Sequence, residues 1–342
     1  MKFLFFCIGI LLLISCQDGN TGKSIKFKED RNVSVNFESK IVDIDIKQIL
    51  GFGNFCIVDS FFVFNDFKTN IGNVIHLFNK NNFQYYRSCG ALGKGPGEIT
   101  RLGASNVNLD HSGFWVQDYG KQVSWLFPLD SIVKNNNFLP TVKIPFSNDL
   151  FMDKMEIINN VTALGLAVKP LSVSSAEMRF AKLDLTTNKV SEYGYEHEGI
   201  NKKRTYSSFC VDKKNGRFIR VYNRVDLITV CDFNGDLICN IYGPNWGVEK
   251  TIRQKYYDGV QSYKGGFIAS YLGGNAKDMS EEYGLRVNYP SKLLIFNSNG
   301  HYTKTIVVGQ QFSSFVVDEE NGRVVMFFEN RENPFGYIML ES

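Results

Sequence analysis

Histidine and proline are scarce in this chain of 342 residues, at 4 and 8 copies, and basic residues barely outnumber acidic ones, 38 to 35. The few histidines, His76, His111, His197 and His301, stand far apart, and no Gly-x-Ser-x-Gly elbow supplies a nucleophile, so no catalytic triad can be assembled from motifs. Glu196-His197-Glu198 has metal-ligand residue types, but neighbours on a strand point to opposite faces and cannot converge. A net charge of +3 argues against nucleic acid as a partner, and the one basic cluster, Lys202-Lys203-Arg204, reads as a solvated loop. The N-terminal apolar run, Phe3 to Ile14, falls well short of the roughly 20 residues a spanning helix needs. No long stretch shows helical periodicity, which sets the helical classes aside.

Cysteine is present but in the wrong number for a disulfide framework. Of seven, Cys7 lies in the N-terminal run and Cys16 just after it, leaving Cys56, Cys89, Cys210, Cys231 and Cys239, at spacings that fit no zinc pattern. Most sit in apolar strand runs, where cysteine behaves as a small hydrophobe. Cys231 and Cys239 flank the turn Asp232-Phe233-Asn234-Gly235-Asp236, so a bridge across that hairpin stays open, though strand-paired disulfides are geometrically demanding.

What the chain does have is repetition. Residues 207–222 and 313–328 match at 8 of 16 positions, an offset of 106. Each copy reads as a single hairpin, so the structural unit is half the offset, about 50 residues, the size of a propeller blade. Apolar strands ending at a turn recur around Phe78, Phe127, Leu183, Cys231, Phe296 and Met339. Each is preceded by another strand, beginning at Phe61, Phe114, Ala163, Phe218, Gly266 and Val324. Two hairpins per unit and six units predict an all-β fold, a six-bladed β-propeller of four-stranded antiparallel blades. The last blade runs out of chain, so the early strand Ser39–Asp45 is expected to close it, which also removes an open sheet edge. The duplicated hairpins fall in blades four and six, and their shared Asp212, Asn215, Gly216 and Arg217 are expected to serve the hairpin and not a site.

The N-terminus has the pattern of an export signal. Leu13-Ile14-Ser15-Cys16 resembles the bacterial lipobox, which implies a signal peptide over 1–15 and a lipid on Cys16. Residues 16–40, polar and poor in apolar residues, are expected to form a flexible tether, and 41–342 the propeller.

Between the first two blades lies Gly90-Ala-Leu-Gly93-Lys-Gly95-Pro96-Gly97-Glu98. It leads into a strand, not a helix, and no Lys-Ser/Thr pair follows, so a phosphate cradle is disfavoured and the glycines are expected to shape a tight crossing. The order from Gly90 through Phe114-Trp115 to Trp125-Leu126-Phe127 resembles the NHL repeat, and the loop is similar to that of six-bladed, TolB-like propeller lipoproteins of Bacteroidetes. Leu102-Gly103 stands where the NHL proline would be. The resemblance implies a propeller tethered to the outer membrane of a Gram-negative cell, facing the periplasm or the outside.

Loops after each second strand should gather on one face with the blade-to-blade crossings. There Asp66, Asp118, Tyr119, Tyr222, Asn223, Arg224, Tyr271, Glu329 and Asn330 form the candidate ligand face. The mix of polar and aromatic groups suits a glycan, peptide or protein partner, and the expected function is a non-catalytic binding or scaffolding module without a cofactor. The alternative is a calcium-dependent lactonase or esterase in the channel, with Asp66, Asp118, Asn223 and Glu329 as oxygen ligands.

Overall fold

The computed structural model describes residues 23–26, 31–172, 175–200, 206–247, 254–280 and 284–340. The expected signal peptide, Cys16 with its expected lipid, and Lys202-Lys203-Arg204 lie outside them.

Six four-stranded sheets close into a six-bladed β-propeller. Blade 1 comprises Gly53–Val58, Phe61–Asp66, Asn73–Asn79 and Tyr85–Ala91. Blade 2 comprises Leu102–Val107, Gly113–Asp118, Val123–Pro128 and Lys143–Pro145, and the helix Leu129–Lys134 fills the turn before its last strand. Blade 3 is built from Phe151–Asn159, Thr162–Ser172, Ser175–Asp184 and Lys189–Glu192, blade 4 from Ser207–Asp212, Arg217–Tyr222, Leu227–Asp232 and Leu237–Tyr242. Blade 5 holds Gln254–Tyr263, Gly266–Asn275, Lys292–Phe296 and Tyr302–Val307. Blade 6 holds Phe312–Asp318, Arg323–Phe328 and Phe335–Met339, with Val42–Asp43 as its fourth strand. The expected closure is therefore present: Val42 pairs with Tyr337 and Asp43 with Gly336.

Period-two alternation explains why the second strands are apolar throughout. In blade 1, Phe62 and Phe64 pack with Phe327 and Phe335 of blade 6, while Val63 packs with Phe114 and Val116 of blade 2. In blade 6, Val324 and Met326 turn to blade 5 and Val325 and Phe327 to blade 1. Each strand thus serves two interfaces, and each large apolar side chain buried there contributes about 1.5–3 kcal/mol relative to exposure.

The same alternation settles the five cysteines among the described residues, all of which are free. Cys231 packs toward blade 3 and Cys239 toward blade 5, on opposite faces of blade 4, so no bridge spans the hairpin.

The duplicated hairpins act as staples between blades. Arg217 Nε donates to Asp212 Oδ2 at 2.9 Å, while its other nitrogens donate to the Gly265 carbonyl at 2.7 Å and to the Ser298 carbonyl, both in blade 5 turns. Arg323 repeats this, donating to Asp318 Oδ2 at 2.8 Å and to the Lys80 carbonyl of blade 1 at 2.5 Å.

The stretch expected to be a flexible tether is, in its described residues, laid along the outside of the ring. Lys23–Lys26 pairs in parallel with the outer strand of blade 4, and Ser34–Asn36 in parallel with that of blade 5. Between them Arg31 reaches into the seam of the two blades, and just after them Phe37 is buried. Polar side chains did not prevent this, because an outer strand edge is satisfied by backbone N–H and C=O groups whatever side chains they carry.

Candidate functional site

The turns after the second strands meet the blade-to-blade crossings on one face, and the carboxylates expected there hold the two together. Asp66 accepts the N–H groups of Gly51, Lys68 and Thr69 at 2.8–3.2 Å and the Thr69 hydroxyl at 2.8 Å. Burial works to raise its pKa, but these donors prevail and hold the carboxyl below its usual range. Asp118, fully buried, accepts the N–H groups of Thr100, Arg101, Gly120 and Lys121 at 3.0–3.2 Å. Oxygens surrounded by amide hydrogens are poor cation ligands, and among the described residues no group of three or more His, Cys, Asp and Glu is placed to hold a metal. Asn223 gives its side-chain N–H to the Tyr257 carbonyl at 3.0 Å. The four residues do not fit a calcium site.

The other expected face residues are spread around the ring. The Tyr119 hydroxyl donates to Asp153, Tyr222 is buried beneath the Arg220 guanidinium, and exposed Arg224 donates to the Gln254 carbonyl at 3.2 Å. Glu329 keeps one buried oxygen without a hydrogen-bond partner, and Asn330 lines an open polar groove of about 850 Å³ beside the Arg331–Asp43 pair. Tyr271 belongs to a cluster that the sequence reading missed. At the seam of blades 4 and 5, Asp226, fully buried, accepts the hydroxyls of Tyr257 at 2.9 Å and Tyr271 at 3.2 Å. Arg31 approaches it at 3.6 Å and donates to the Tyr257 hydroxyl at 2.9 Å. The available signal was an aspartate in an otherwise apolar run, Val225-Asp226-Leu227-Ile228.

The glycine loop is occupied by its own chain. Glu98 Oε2 accepts the Gly95 N–H at 2.6 Å, and a Cβ at Gly93 would overlap that carboxylate. Lys121 Nζ closes the loop from outside through the carbonyls of Gly95 and Glu98, each at 2.6 Å. The place an anion would take is filled, as expected for a crossing and not for a phosphate cradle. His197 is likewise structural: Gly199 N–H donates to Nδ1 at 3.0 Å, which directs Nε2 to the Tyr242 hydroxyl at 3.1 Å.

The open space lies on the ring axis. An upper chamber of about 190 Å³, reached from the crossing face, is lined by inner strands of all six blades. A lower one of about 370 Å³ continues toward the opposite face. Lys154, on the inner strand of blade 3, lines both. Below it, burial raises the Glu156 carboxyl against the pull of Lys154 and Lys213, and Oε1 accepts the Val211 N–H at 3.2 Å. Burial also pushes the Cys56 thiol up to about 12 and raises that of Cys210, so neither is a thiolate nucleophile at neutral pH. What the upper chamber offers is hydrogen-bonding groups, one lysine and one carboxylate, Asp258; the lower adds Lys80, Lys213 and the carboxylates of Glu156, Asp318, Glu319 and Glu320.

No protein-family model matches the chain, and no curated protein does. Solved structures do. A member of the DUF4221 family from Bacteroides vulgatus superposes with a TM-score of 0.60 at 11% identity, over 87% of this chain and 95% of that one. A putative exported protein of Bacteroides fragilis gives 0.52 at 12%, over 90% and 89%. A luciferin-regenerating enzyme gives 0.51 at 10%, over 83% and 89%. At such identities the likeness is one of fold.

Proposed function

We propose that this chain is a lipoprotein whose propeller is a non-catalytic binding or scaffolding module for a glycan, peptide or protein in the cell envelope. A lipid on Cys16 would hold it to the outer membrane; several acyl chains on one cysteine anchor stably where one does so only reversibly. The resemblance of Leu13-Ile14-Ser15-Cys16 to the lipobox supports this, as does the fold shared with an exported Bacteroides protein.

One observation carries the binding reading. The carboxylates of catalytic type on the crossing face, Asp66 and Asp118, are taken up by backbone amides, whereas the upper chamber presents Lys154, serine hydroxyls and amides, its one carboxylate, Asp258, being paired with Lys255. Such a surface recognises; it is not equipped for covalent chemistry or calcium-assisted hydrolysis.

Two measurements test it. On fractionation of cells expressing the full chain, the wild type should stay with the membranes until detergent is added, and Cys16→Ser should become soluble; equal solubility of the two would remove the anchor. A pull-down from detergent-solubilised membranes should recover a stoichiometric protein or glycan. Calcium-dependent cleavage of lactones or aryl esters by the purified chain would overturn the non-catalytic reading.

A further inference from the structure

We infer that the upper chamber of the channel binds a small hydroxylated carboxylate, its anion held by Lys154. This deepens the binding reading and rests on it.

Charge is the first argument. Of the ionisable groups lining the chamber, Asp258 is already paired with Lys255 at 2.8 Å, whereas Lys154 forms no ion pair with a carboxylate among the described residues. Its nearest aromatic partner is Phe209, with the ammonium 5.5 Å from the ring centroid. The neighbouring acid Glu156 lies in the lower chamber, and burial favours its neutral form. In the upper chamber Lys154 is thus the ammonium without a paired carboxylate, in a space walled by protein, where a single complementary anion is attracted more strongly than at an exposed lysine.

The neutral lining is the second. Asn54, Ser208, Ser313 and Ser314, from blades 1, 4 and 6, line the same chamber as the lysine. The Ser313 hydroxyl is buried with no hydrogen-bond partner, a cost that a ligand group would relieve. Asn54 Oδ1 already accepts from Asn65 at 2.8 Å, which turns its remaining capacity to donation. Serine hydroxyls both donate and accept, the property of a sugar alcohol and not of an inorganic anion, which only accepts. Phe315 supplies an apolar wall for the C–H face of such a ligand.

Size is the third. At about 30 Å³ per liquid water, 190 Å³ corresponds to roughly six waters, below the usual range for drug-sized ligands. One six-carbon acid is the scale of occupant.

The test is calorimetric titration of the full chain in detergent with sodium glucuronate, glucose and sodium sulfate. Glucuronate should bind, glucose and sulfate at least tenfold more weakly. Lys154→Met should lose tenfold or more in glucuronate affinity, Ser313→Ala a smaller factor, and Lys213→Met, in the lower chamber, less than twofold. Should Lys154→Met fail to fold by circular dichroism, Lys154→Gln reads the same loss. The inference is overturned if the wild type does not bind glucuronate, if sulfate binds as tightly, or if the Lys154 variants bind unchanged. A membrane partner captured by the wild type and Lys154→Met alike, with no glucuronate binding, would end this inference and leave the binding module standing. Glucuronate binding with no partner captured would uphold this inference and narrow the binding module to a small sugar-acid ligand.

Discussion

Arg217 and Arg323 show what a repeated residue means when its partners are followed. Each guanidinium is more than nine-tenths buried, pairs with the aspartate of its own hairpin and caps carbonyls of the next blade. Arg217→Ala would leave Asp212 buried without its counter-charge and blade 5 carbonyls without donors, a loss of about 3–5 kcal/mol. Urea unfolding should report it; a change under about 1 kcal/mol would show that the staple is not stabilising. Asp153 makes a pH-dependent case. Burial, opposed by Lys154, raises its carboxyl to about 6, against an ordinary value near 4. Between those values the folded state holds more protons than the unfolded one, so this group lowers stability as pH rises from about 4 to 6, and the penalty is complete above 6. Asp153→Asn keeps an acceptor for the Tyr119 hydroxyl and should flatten that part of the stability curve. An unchanged slope in urea midpoints measured across pH 4–7 would contradict the assignment.

At the scale of elements, the N-terminal strap is where sequence and structure part. Residues 16–40 look like a tether because the sequence shows side chains, while pairing of Lys23–Lys26 and Ser34–Asn36 to outer strands uses the backbone. Ile25 within the first of these strands and Phe37 after the second, both buried, were the apolar residues that hinted at packing. The glycine loop was legible for the opposite reason: positive φ at Gly90 and Gly97 and close approach of Glu98 to Gly93 are demands that residue type announces. The strap yields a prediction. Arg31→Ala removes the only cation near buried Asp226 among the described contacts and should cost about 1.5–3 kcal/mol, the range for hydrogen bonds to charged groups. A double-mutant cycle with Asp226→Asn should show coupling above about 1 kcal/mol; additive losses would mean that the strap lies on the seam without locking it. A chain beginning at residue 41 should be less stable than one beginning at 17, although the sequence places the domain boundary there.

For the molecule as a whole, the ring was readable because period-two strands with two apolar faces have no stable arrangement except against neighbours on both sides. Its binding surface was not. Asp66, Asp118 and Asn223 are the types that ligand sites use, but also the types that turns use, and only the positions of Gly51, Thr100 and Tyr257 reveal the second role. Channel residues such as Lys154 and Ser313 sit within strands, where sequence alone does not tell an axial position from a solvated one. Closure is the property that belongs to no single blade. Ile44, buried and with its N–H donating to the Phe335 carbonyl at 3.0 Å, packs with Phe64 of blade 1 and Phe327 of blade 6, at the junction of first and last blades. Ile44→Ala should lower stability by about 2–4 kcal/mol, as for other buried isoleucines, whereas Val42→Ala, at a half-exposed position in the closing strand just before it, should cost under about 0.5 kcal/mol. Because blades depend on both neighbours, the Ile44 loss should shift one cooperative urea transition with an unchanged slope. A second transition, or a shallower slope, would mean that blades 1 and 6 can part while the rest of the ring stays folded.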